Sequence, residues 1–513
     1  MKKIVFFSFL LILALASFLR IFQLDKNPAG FFCDEASVGY NAYLILKTGK
    51  DEHQNSFPIF FPAFGDYKNP VLIYSTVPFV WLFGLSEFSV RIVPAIYGIF
   101  SVILIFFLSK KMFNDEKIAL FSALFLAISP WHVHLSRVAL EGIVAFPFFL
   151  FLGVYFFLRG NEKSLFLILG FIFFGISLYT YYPAYLISPL FLLFLIFLKF
   201  PEFKEKLNFL IIGIFIFYLI SLPLLFHIFS GKGLSRFQQT TFLKSFSQIF
   251  EPETLKRISK LYFQHFSFTF LFKKGDSGFP GQFITRHSII GMGELYLIQL
   301  LFLIFGVLFL ILRKKIQEIL ILGFCFLIYP LGTVFTNAPG PQATRSIIGV
   351  IPFQILSGVG VYYLLEISKK LFKKFHIFFV TMVFLIIFLS FLKFWKLFTQ
   401  YPLYSSDFWG WQYGPKEIIS YFKKVDKHYD ELIMSSMFNM PEIFFKFYNP
   451  EGCQKCKIGN LNSFHPEKKQ LFALSLQEWE NSFIFGKIIT HRIIFYPDGK
   501  VAFLIGEIEK YDF

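Results

Sequence analysis

Charge and cysteine are scarce in this chain. Only 16% of its 513 residues are Asp, Glu, Lys or Arg, and it has four cysteines. Soluble globular proteins are about 25% charged, so the composition excludes an ordinary soluble domain. Hydrophobic side chains make up 56% of the residues and include 80 phenylalanines. Because any apolar side chain satisfies the bilayer interior, the phenylalanine excess indicates codon bias rather than a function, and the sequence predicts a membrane protein.

The few cysteines are too sparse for a disulfide framework or a complete zinc site. Cys33 and Cys325 stand alone, and Cys453 and Cys456 form a single C-x-x-C. A zinc site needs a second Cys or His pair, so a disulfide or a turn with two free thiols is favoured. Signatures of nucleotide binding and of hydrolysis are missing too, because "SGKGLSR" has no Walker pattern and no G-x-S-x-G occurs.

Positive charge is in excess, with a net charge of +16. Basic proteins often bind nucleic acid, but here the charge falls in short clusters between apolar runs, which is typical of cytoplasmic loops. We therefore predict no nucleic-acid partner. The clusters are Lys2-Lys3, Lys110-Lys111, Lys199 with Lys204 and Lys206, Arg313-Lys314-Lys315, and Lys369-Lys370 with Lys373-Lys374.

Apolar runs and basic clusters together predict about eleven membrane spans, since one span needs about 20 apolar residues. With the N-terminus in the cytoplasm, every basic cluster lies inside, and an odd number of spans leaves the tail from residue 395 outside. The first run reads as an anchor rather than a cleaved signal peptide. The predicted spans are 4–22, 90–108, 117–131, 142–158, 164–181, 183–198, 208–229, 289–312, 316–335, 346–366 and 375–394.

Two long outer loops and a polar tail complete this organisation. The first loop is 23–89, in which "NPVLIYSTVPFVWLFG" predicts an interfacial or re-entrant helix. The second is 230–288, in which "LKRISKLYFQHF" begins an amphipathic element on the membrane surface. We predict a membrane domain at 1–398 and a small extracytoplasmic α+β domain at 399–513, where "HRIIFYPDGKVAFLIGEIEKY" predicts a β-hairpin.

Ionisable residues of the predicted outer loops and turns all face one side. Charged groups at membrane depth are costly and tend to mark function, although charged loops are also ordinary at a membrane surface. The set consists of Asp34 and Glu35 in "FFCDEASVGYNAY", Asp66, Tyr67 and Lys68 in "GDYKNP", Arg91, then His132, His134, Arg137 and Glu141 in "SPWHVHLSRVALEG", and Arg345 in "GPQATRS".

This set suits group transfer from a phosphorylated, lipid-linked donor. A carboxylate can act as general base toward an acceptor hydroxyl or amine, and cations can hold the phosphate leaving group. We assign the cations to Lys68, Arg137 and Arg345. The alternate spacing of His132 and His134 could hold a metal, but an interfacial role beside Trp131 is favoured.

Four stretches, "FFCDEASVGYNAYLILKTGKDE", "FPAFGDYKNPVLIY", "GLSEFSVRIVPAIYG" and "SPWHVHLSRVALEG", resemble in this order the N-terminal half of the GT-C membrane glycosyltransferases. The group most similar is bacterial glycosyltransferase family 39, related to protein O-mannosyltransferases and to the aminoarabinose transferase of lipid A. "LYFQHFSFTFLFKKGD" and "APGPQATRSIIGVIPFQILSGVG" resemble later loops of that group, so the resemblance covers most of residues 1–400.

The resemblance implies a polyprenyl-phosphate-linked sugar donor, used at the outer membrane face with inversion at the anomeric carbon. It places Asp34 and Glu35 at the active site and makes Arg137 important. Lys68 falls where related enzymes hold the lipid phosphate, although its context is Lys-Asn-Pro rather than Lys-Pro-Pro. Glu141 falls where mannosyltransferases often have Asp. Metal use varies across GT-C enzymes, which leaves a divalent cation open.

The sequence thus predicts a multi-pass glycosyltransferase of the cytoplasmic membrane, with Asp34 as the base and Glu35 in support. Its acceptor is a protein, a lipid or a glycan. Asp66, Tyr67, Arg91, His132 and His134 are predicted to support the site. The alternatives are a flippase or other transporter, which would carry charges along a path at mid-membrane, and a polymerase or ligase of lipid-linked glycans.

Overall fold

Helices account for most of the chain. The structure, a computed structural model, describes residues 3–480 and 486–509. The helices are α1 (Lys3–Ile21), α2 (Cys33–Thr48), α3 (Pro70–Phe83), α4 (Glu87–Phe113), α5 (Glu116–Ile128), α6 (Pro130–Leu135), α7 (Ala145–Leu158), α8 (Ser164–Ser177), α9 (Ala184–Phe203), α10 (Leu207–Phe229), α11 (Ser235–Thr240), α12 (Pro252–Gln264), α13 (Gln299–Leu312), α14 (Ile316–Ile328), α15 (Leu331–Val334), α16 (Val350–Leu371), α17 (His376–Gln400), α18 (Pro402–Ser405), α19 (Pro415–Val425), α20 (Glu442–Tyr448) and α21 (Leu476–Trp479).

Each of the predicted spans overlaps at least one of these helices. By length and composition, six helical stretches of the described chain could cross a membrane: Lys3–Ile21, Glu87–Phe113, Ala184–Phe229, Ile316–Val334, Ile347–Leu371 and His376–Gln400. The third stretch has 46 residues, about twice the length that a bilayer needs. A 3-10 turn at Lys204–Lys206 interrupts it, so the predicted basic cluster marks the boundary between α9 and α10.

The first outer loop is largely helical, and its helix α2 determines which way the two adjacent carboxylates point. α2 begins at Cys33, so Asp34 and Glu35 occupy its first turn, where the helix dipole favours negative charge. The helix ends at Thr48 and is capped by Gly49, whose φ of 70° is in the left-handed region that glycine tolerates. Successive helical residues are about 100° apart around the axis, so the two carboxylates point in different directions.

A short hairpin follows α2 and orients the next three predicted site residues. Strands β1 (Phe61–Ala63) and β2 (Asp66–Lys68) pair antiparallel. The two residues between them, Phe64 and Gly65, both have positive φ, as a type I′ turn requires. Because side chains alternate along a strand, Asp66 and Lys68 are both buried, whereas Tyr67 is only partly buried.

The tail forms a small mixed sheet, as predicted. Its strands are β3 (Glu431–Ser435), β4 (Cys456–Gly459), β5 (Gln470–Leu474), β6 (Lys487–Phe495) and β7 (Val501–Glu509). The order across the sheet is β4-β3-β5-β7-β6. β3 is parallel to both neighbours, and the predicted hairpin is confirmed as β6 and β7. Residues 510 and 511 of that hairpin motif, and Lys2 of the first basic cluster, lie outside the described residues.

The sheet region packs against the first outer loop. Tyr448 of α20 donates a hydrogen bond of 2.6 Å to Glu87 at the start of α4. Lys416 of α19 forms a 3.1 Å ion pair with the same carboxylate. A disulfide joins Cys453 to Cys456, the first residue of β4, which confirms one of the two interpretations of this motif. The boundary between residues 398 and 399 stays a prediction.

Candidate active site

Asp34 and Lys68 form an ion pair beside a cavity. The Lys68 ammonium lies 2.5 Å from Asp34 Oδ1, and the two side chains are 5% and 22% exposed. Burial by itself would raise the pKa of Asp34, but the charge and hydrogen bond of Lys68, with Arg236 and Arg286, hold that pKa below its usual value. The pKa of Lys68 is raised, because Asp34 and Glu141 outweigh the effect of burial. Both groups are therefore charged at neutral pH.

Arg236 of α11 is a second cation at this site, and it was not among the residues predicted from the sequence. Its guanidinium lies 3.1 Å from Asp66 Oδ2 and 3.9 Å from Glu141 Oε1. Burial raises the pKa of both carboxyl groups. The Glu141 Oε2 atom is buried and has no hydrogen-bond partner among the described residues. One sequence feature could have identified Arg236 as a site residue: it is the only arginine in "SGKGLSR", a basic stretch of the second outer loop.

Two cavities meet at this site. The polar cavity has a volume of about 410 Å³, and its lining includes Asp34, Arg236, Arg286, His287 and Arg345. The apolar cavity has a volume of about 300 Å³, and its lining includes Leu186, Ile187, Leu234, Phe237 and Phe335. Four residues line both of them: Glu141, Tyr181, Arg236 and Arg345. A ligand with an apolar tail and a charged head could thus place its head at these shared residues.

Arg345 and Arg286 supply positive charge to the polar cavity, and neither forms a direct ion pair among the described residues. No carboxylate of residues 3–480 or 486–509 lies within 4.0 Å of either guanidinium. Arg286 donates to the backbone oxygens of Trp409 and Gly410, at 3.0 and 2.8 Å, and stacks 3.7 Å above the Phe32 ring. Arg345 was predicted from the sequence and Arg286 was not. Both are suited to hold an anion.

The chain is similar to one known protein family and to several solved structures. Residues 68–226 match the family described as dolichyl-phosphate-mannose-protein mannosyltransferase. ArnT from Cupriavidus metallidurans in the apo state aligns with a TM-score of 0.57 and 12% identity, covering 97% of each chain. ArnT bound to undecaprenyl phosphate aligns with a TM-score of 0.54 and 11% identity over the same shares.

A third similar structure is oligosaccharyltransferase AglB from Archaeoglobus fulgidus, in complex with an inhibitory peptide and a dolichol-phosphate. Its TM-score is 0.52 at 13% identity, and the alignment covers 85% of this chain and 62% of AglB. No curated protein matches the chain significantly. The fold of the chain thus resembles that of these membrane glycosyltransferases. This confirms the predicted fold class, a helical membrane protein with a small C-terminal sheet region.

Glu35 lies outside both cavities and is fully buried. Arg91 binds it through two hydrogen bonds of 2.9 and 2.8 Å. The backbone N–H groups of Ala139 and Phe32 donate to it as well, at 3.0 and 3.2 Å. The structure therefore does not bring Glu35 to the place predicted for it beside the reacting groups. Arg91 also donates a hydrogen bond to Pro28 O, which holds this part of the first loop against α4.

Arg137 does not face the cavities either. It was expected to bind the donor phosphate, but every N–H-bearing nitrogen of its guanidinium donates to a backbone oxygen at or after the end of α1. The acceptors are Leu19 O at 2.8 Å, Phe22 O at 2.8 Å, Gln23 O at 3.0 Å and Asn27 O at 2.9 and 3.1 Å. Leu19 belongs to the last turn of α1, where helix carbonyl groups lack intrahelical partners, and the other acceptors lie in the turn that follows the helix. The structure thus assigns Arg137 to the support of the first loop.

The two histidines and Tyr67 also lie outside the polar cavity. His132 contacts Arg20 through Nδ1 at 2.8 Å, and His134 Nε2 contacts Arg286 O at 2.7 Å. Tyr67 accepts a hydrogen bond from Tyr182 at its backbone oxygen, and its ring packs against His227. Among the described residues, no cluster of three or more His, Cys, Asp or Glu could hold a metal ion.

Proposed function

We propose that this protein transfers a sugar from a polyprenyl-phosphate-linked donor to an acceptor at the outer face of the cytoplasmic membrane, with inversion at the anomeric carbon. The observation that carries the proposal is the junction of the two cavities. An ionised carboxylate, Asp34, lies on the polar side of that junction, and the cations Arg236 and Arg345 line both sides.

The donor fits this junction by its chemistry. A polyprenyl tail is apolar and suits the apolar cavity, while its phosphate suits the guanidinium groups of Arg345 and Arg236. The sugar then projects into the polar cavity. ArnT bound to undecaprenyl phosphate and AglB in complex with a dolichol-phosphate have similar folds, which supports a donor of this class.

Asp34 acts as the general base in the proposed step. The acceptor oxygen or nitrogen attacks the anomeric carbon and forms the new glycosidic bond, while the bond from that carbon to the phosphate oxygen breaks. Its electron pair leaves with the polyprenyl phosphate, and the acceptor proton goes to Asp34. A single displacement of this kind inverts the anomeric carbon. Lys68 keeps Asp34 ionised, and Arg345 and Arg236 stabilise the charge on the leaving phosphate.

The roles proposed for Asp34, Arg236 and Arg345 need no metal ion. Asp34 and Asp66 each have one carboxylate oxygen paired with a side-chain cation, Lys68 and Arg236 respectively. Glu141 lies 3.9 Å from Arg236 through Oε1, and its Oε2 has no hydrogen-bond partner among the described residues.

The distribution of basic residues supports a cytoplasmic N-terminus and an extracytoplasmic sheet region. α4 has 27 residues and is about 40 Å long, which exceeds the hydrocarbon thickness of a bilayer. Arg91 near its start binds Glu35, the neighbour of Asp34, whereas Lys110 and Lys111 lie in its last turn. α16 also starts near Arg345 and ends with Lys369 and Lys370. The positive-inside rule then puts the site outside.

Turnover of a defined donor tests the proposal. Purified protein in lipid nanodiscs is supplied with a radiolabelled polyprenyl-phosphate hexose, and release of polyprenyl phosphate is measured with and without membrane glycans, peptides and lipids as acceptors. We expect turnover by the wild type and a loss of at least about 100-fold in Asp34→Asn. Undiminished transfer by Asp34→Asn would rule out Asp34 as the base.

A further inference from the structure

A third cavity continues the polar cavity, and we call it the outer trough. It has a volume of about 320 Å³, and Gln239, Ile284, Gln342 and Arg345 line both it and the polar cavity. A molecule in the outer trough can therefore extend one end toward the catalytic groups. Arg345 is the only charged residue that lines it within the described chain, so a ligand here is recognised mainly by apolar contact and hydrogen bonds.

Two exposed aromatic rings form one wall of the outer trough. Phe283 is 65% exposed and Trp409 is 48% exposed, and their ring centroids are 5.9 Å apart. Both line the outer trough. Exposed aromatic surface next to polar groups is typical of a binding site rather than of a bare surface. Flat rings of this kind suit a ligand that has apolar C–H faces.

Amide side chains supply the polar part of the lining. Gln239, Gln282 and Asn337 each donate their NH₂ group to a backbone oxygen, of Gly65, Pro341 and Thr241 respectively. Their side-chain oxygens accept no hydrogen bond within residues 3–480 and 486–509. The amides are thus held in place with their acceptor atoms free for a ligand, which must bring hydrogen-bond donors.

Gln342 is a separate indication that a ligand binds here. It is only 8% exposed and lines both the outer trough and the polar cavity. Its Oε1 atom is buried without a hydrogen-bond partner among the described residues. A buried acceptor that lacks a partner is unfavourable. A ligand hydroxyl at the boundary of the two cavities would satisfy it.

We propose that the outer trough is the acceptor subsite and that the acceptor is a glycan. A sugar ring combines apolar C–H faces, which suit Phe283 and Trp409, with several hydroxyl donors, which suit the free amide oxygens. A lipid chain brings no such donors, and the backbone of an extended peptide brings N–H donors but no flat apolar face for the two rings. This inference rests on the proposed function, because it assumes that the molecule bound here receives the sugar at Asp34.

Direct binding tests the subsite without any need for turnover. Fluorescently labelled full-length protein in nanodiscs is applied to a glycan array, and bound glycans are then titrated. We expect Trp409→Ala and Phe283→Ala to weaken glycan binding at least tenfold. Truncation of Trp409 spares its backbone oxygen, which Arg286 binds. Trp81→Ala and Phe495→Ala are matched controls, because these rings are 69% and 51% exposed outside the three cavities.

Transfer kinetics separate the subsite from the donor site. With the bound glycan as acceptor, Trp409→Ala and Gln342→Met should raise the acceptor KM at least tenfold and leave the donor KM unchanged, and Trp409→Phe should recover most of the loss. Absence of glycan binding, or transfer to Ser/Thr peptides that Trp409→Ala does not impair, would overturn the subsite. Glycan binding with no use of any polyprenyl-phosphate sugar would instead overturn the proposed function.

Discussion

Asp34 and Glu35 are neighbours in α2, but the ion pair of Glu35 is fully enclosed and that of Asp34 borders a cavity. The Glu35–Arg91 pair is closed: both side chains are 0% exposed, and four N–H groups from Arg91, Phe32 and Ala139 bind the carboxylate. In the Asp34–Lys68 pair, Asp34 is 22% exposed and borders the polar cavity. Complete hydrogen bonding makes Glu35 a part of the fold, whereas incomplete enclosure leaves Asp34 able to accept a proton.

The largest expected effect is the loss of the closed pair. Glu35→Ala leaves Arg91 buried without a counter-charge, and breaking a buried pair in this way costs about 3–5 kcal/mol. We expect little folded protein. Fluorescence-detected size-exclusion chromatography and thermal unfolding measure this directly, with the surface variant Glu480→Ala as control. A Glu35→Ala protein that unfolds at the wild-type temperature would contradict the structural role.

Asp34→Asn should separate activity from folding. The amide keeps an oxygen that can accept from Lys68 but cannot serve as the base, so we expect transfer to fall by about 100-fold or more with a melting temperature close to that of the wild type. Release of polyprenyl phosphate and a thermal melt of the same preparation provide both values. If Asp34→Asn also unfolded at a lower temperature, Asp34 would be a structural residue like Glu35. The contrast between the two ion pairs would then not hold.

The two arginines that the sequence assigned to phosphate should behave differently. Arg345→Ala should weaken binding of polyprenyl phosphate about 10- to 100-fold, the value of a charge-assisted hydrogen bond of about 1.5–3 kcal/mol, with little change in melting. Arg137→Ala should lower the melting temperature, because backbone carbonyls at the end of α1 lose their donors. Microscale thermophoresis with polyprenyl phosphate, alongside thermal melts, measures both effects. Equal loss of phosphate binding without destabilisation in Arg137→Ala would restore the sequence-based assignment.

Lys68→Met should change the pH dependence of transfer. Burial raises the pKa of Asp34, and Lys68 is the main group that holds it down. Because the base must be ionised, activity falls as pH drops through this pKa, and loss of Lys68 moves that acid limb to higher pH. The profile of kcat/KM against pH measures it, with the exposed Lys47→Met as the matched control. An unmoved acid limb would show that another group is the base.

The smallest effect is expected for an ion pair at the surface. Lys446 of α20 lies 2.9 Å from Glu52, with side chains 45% and 6% exposed. Pairs with an exposed partner contribute about 1 kcal/mol or less, and Asn41 still donates to the Glu52 carboxylate when Lys446 is removed, so Lys446→Ala should barely change the melting temperature or the transfer rate. A large loss of stability, measured by thermal unfolding, would mean that the contact between α20 and the first loop is held by this pair.

The local parts of the site were predictable, and their assembly was not. Asp34, Lys68, Glu141 and Arg345 were all named from the sequence, and the structure brings them to one junction. Arg286 was missed, because nothing in a single sequence shows that the second outer loop folds back over the first. Arg137 was misplaced for a related reason: an arginine in an outer turn looks alike whether it binds a phosphate or helix carbonyls.

The sequence by itself determined the long apolar helices, the two long loops between them and the sheet-forming tail. Hydrophobicity summed over about 20 residues and a period of two along strands are local properties, so no tertiary contact is needed to detect them. Only the tertiary structure decided that Glu35 faces Arg91 while Asp34 faces Lys68 and the polar cavity. That choice depends on a rotation of about 100° per helical residue and on partners that come from distant segments of the chain.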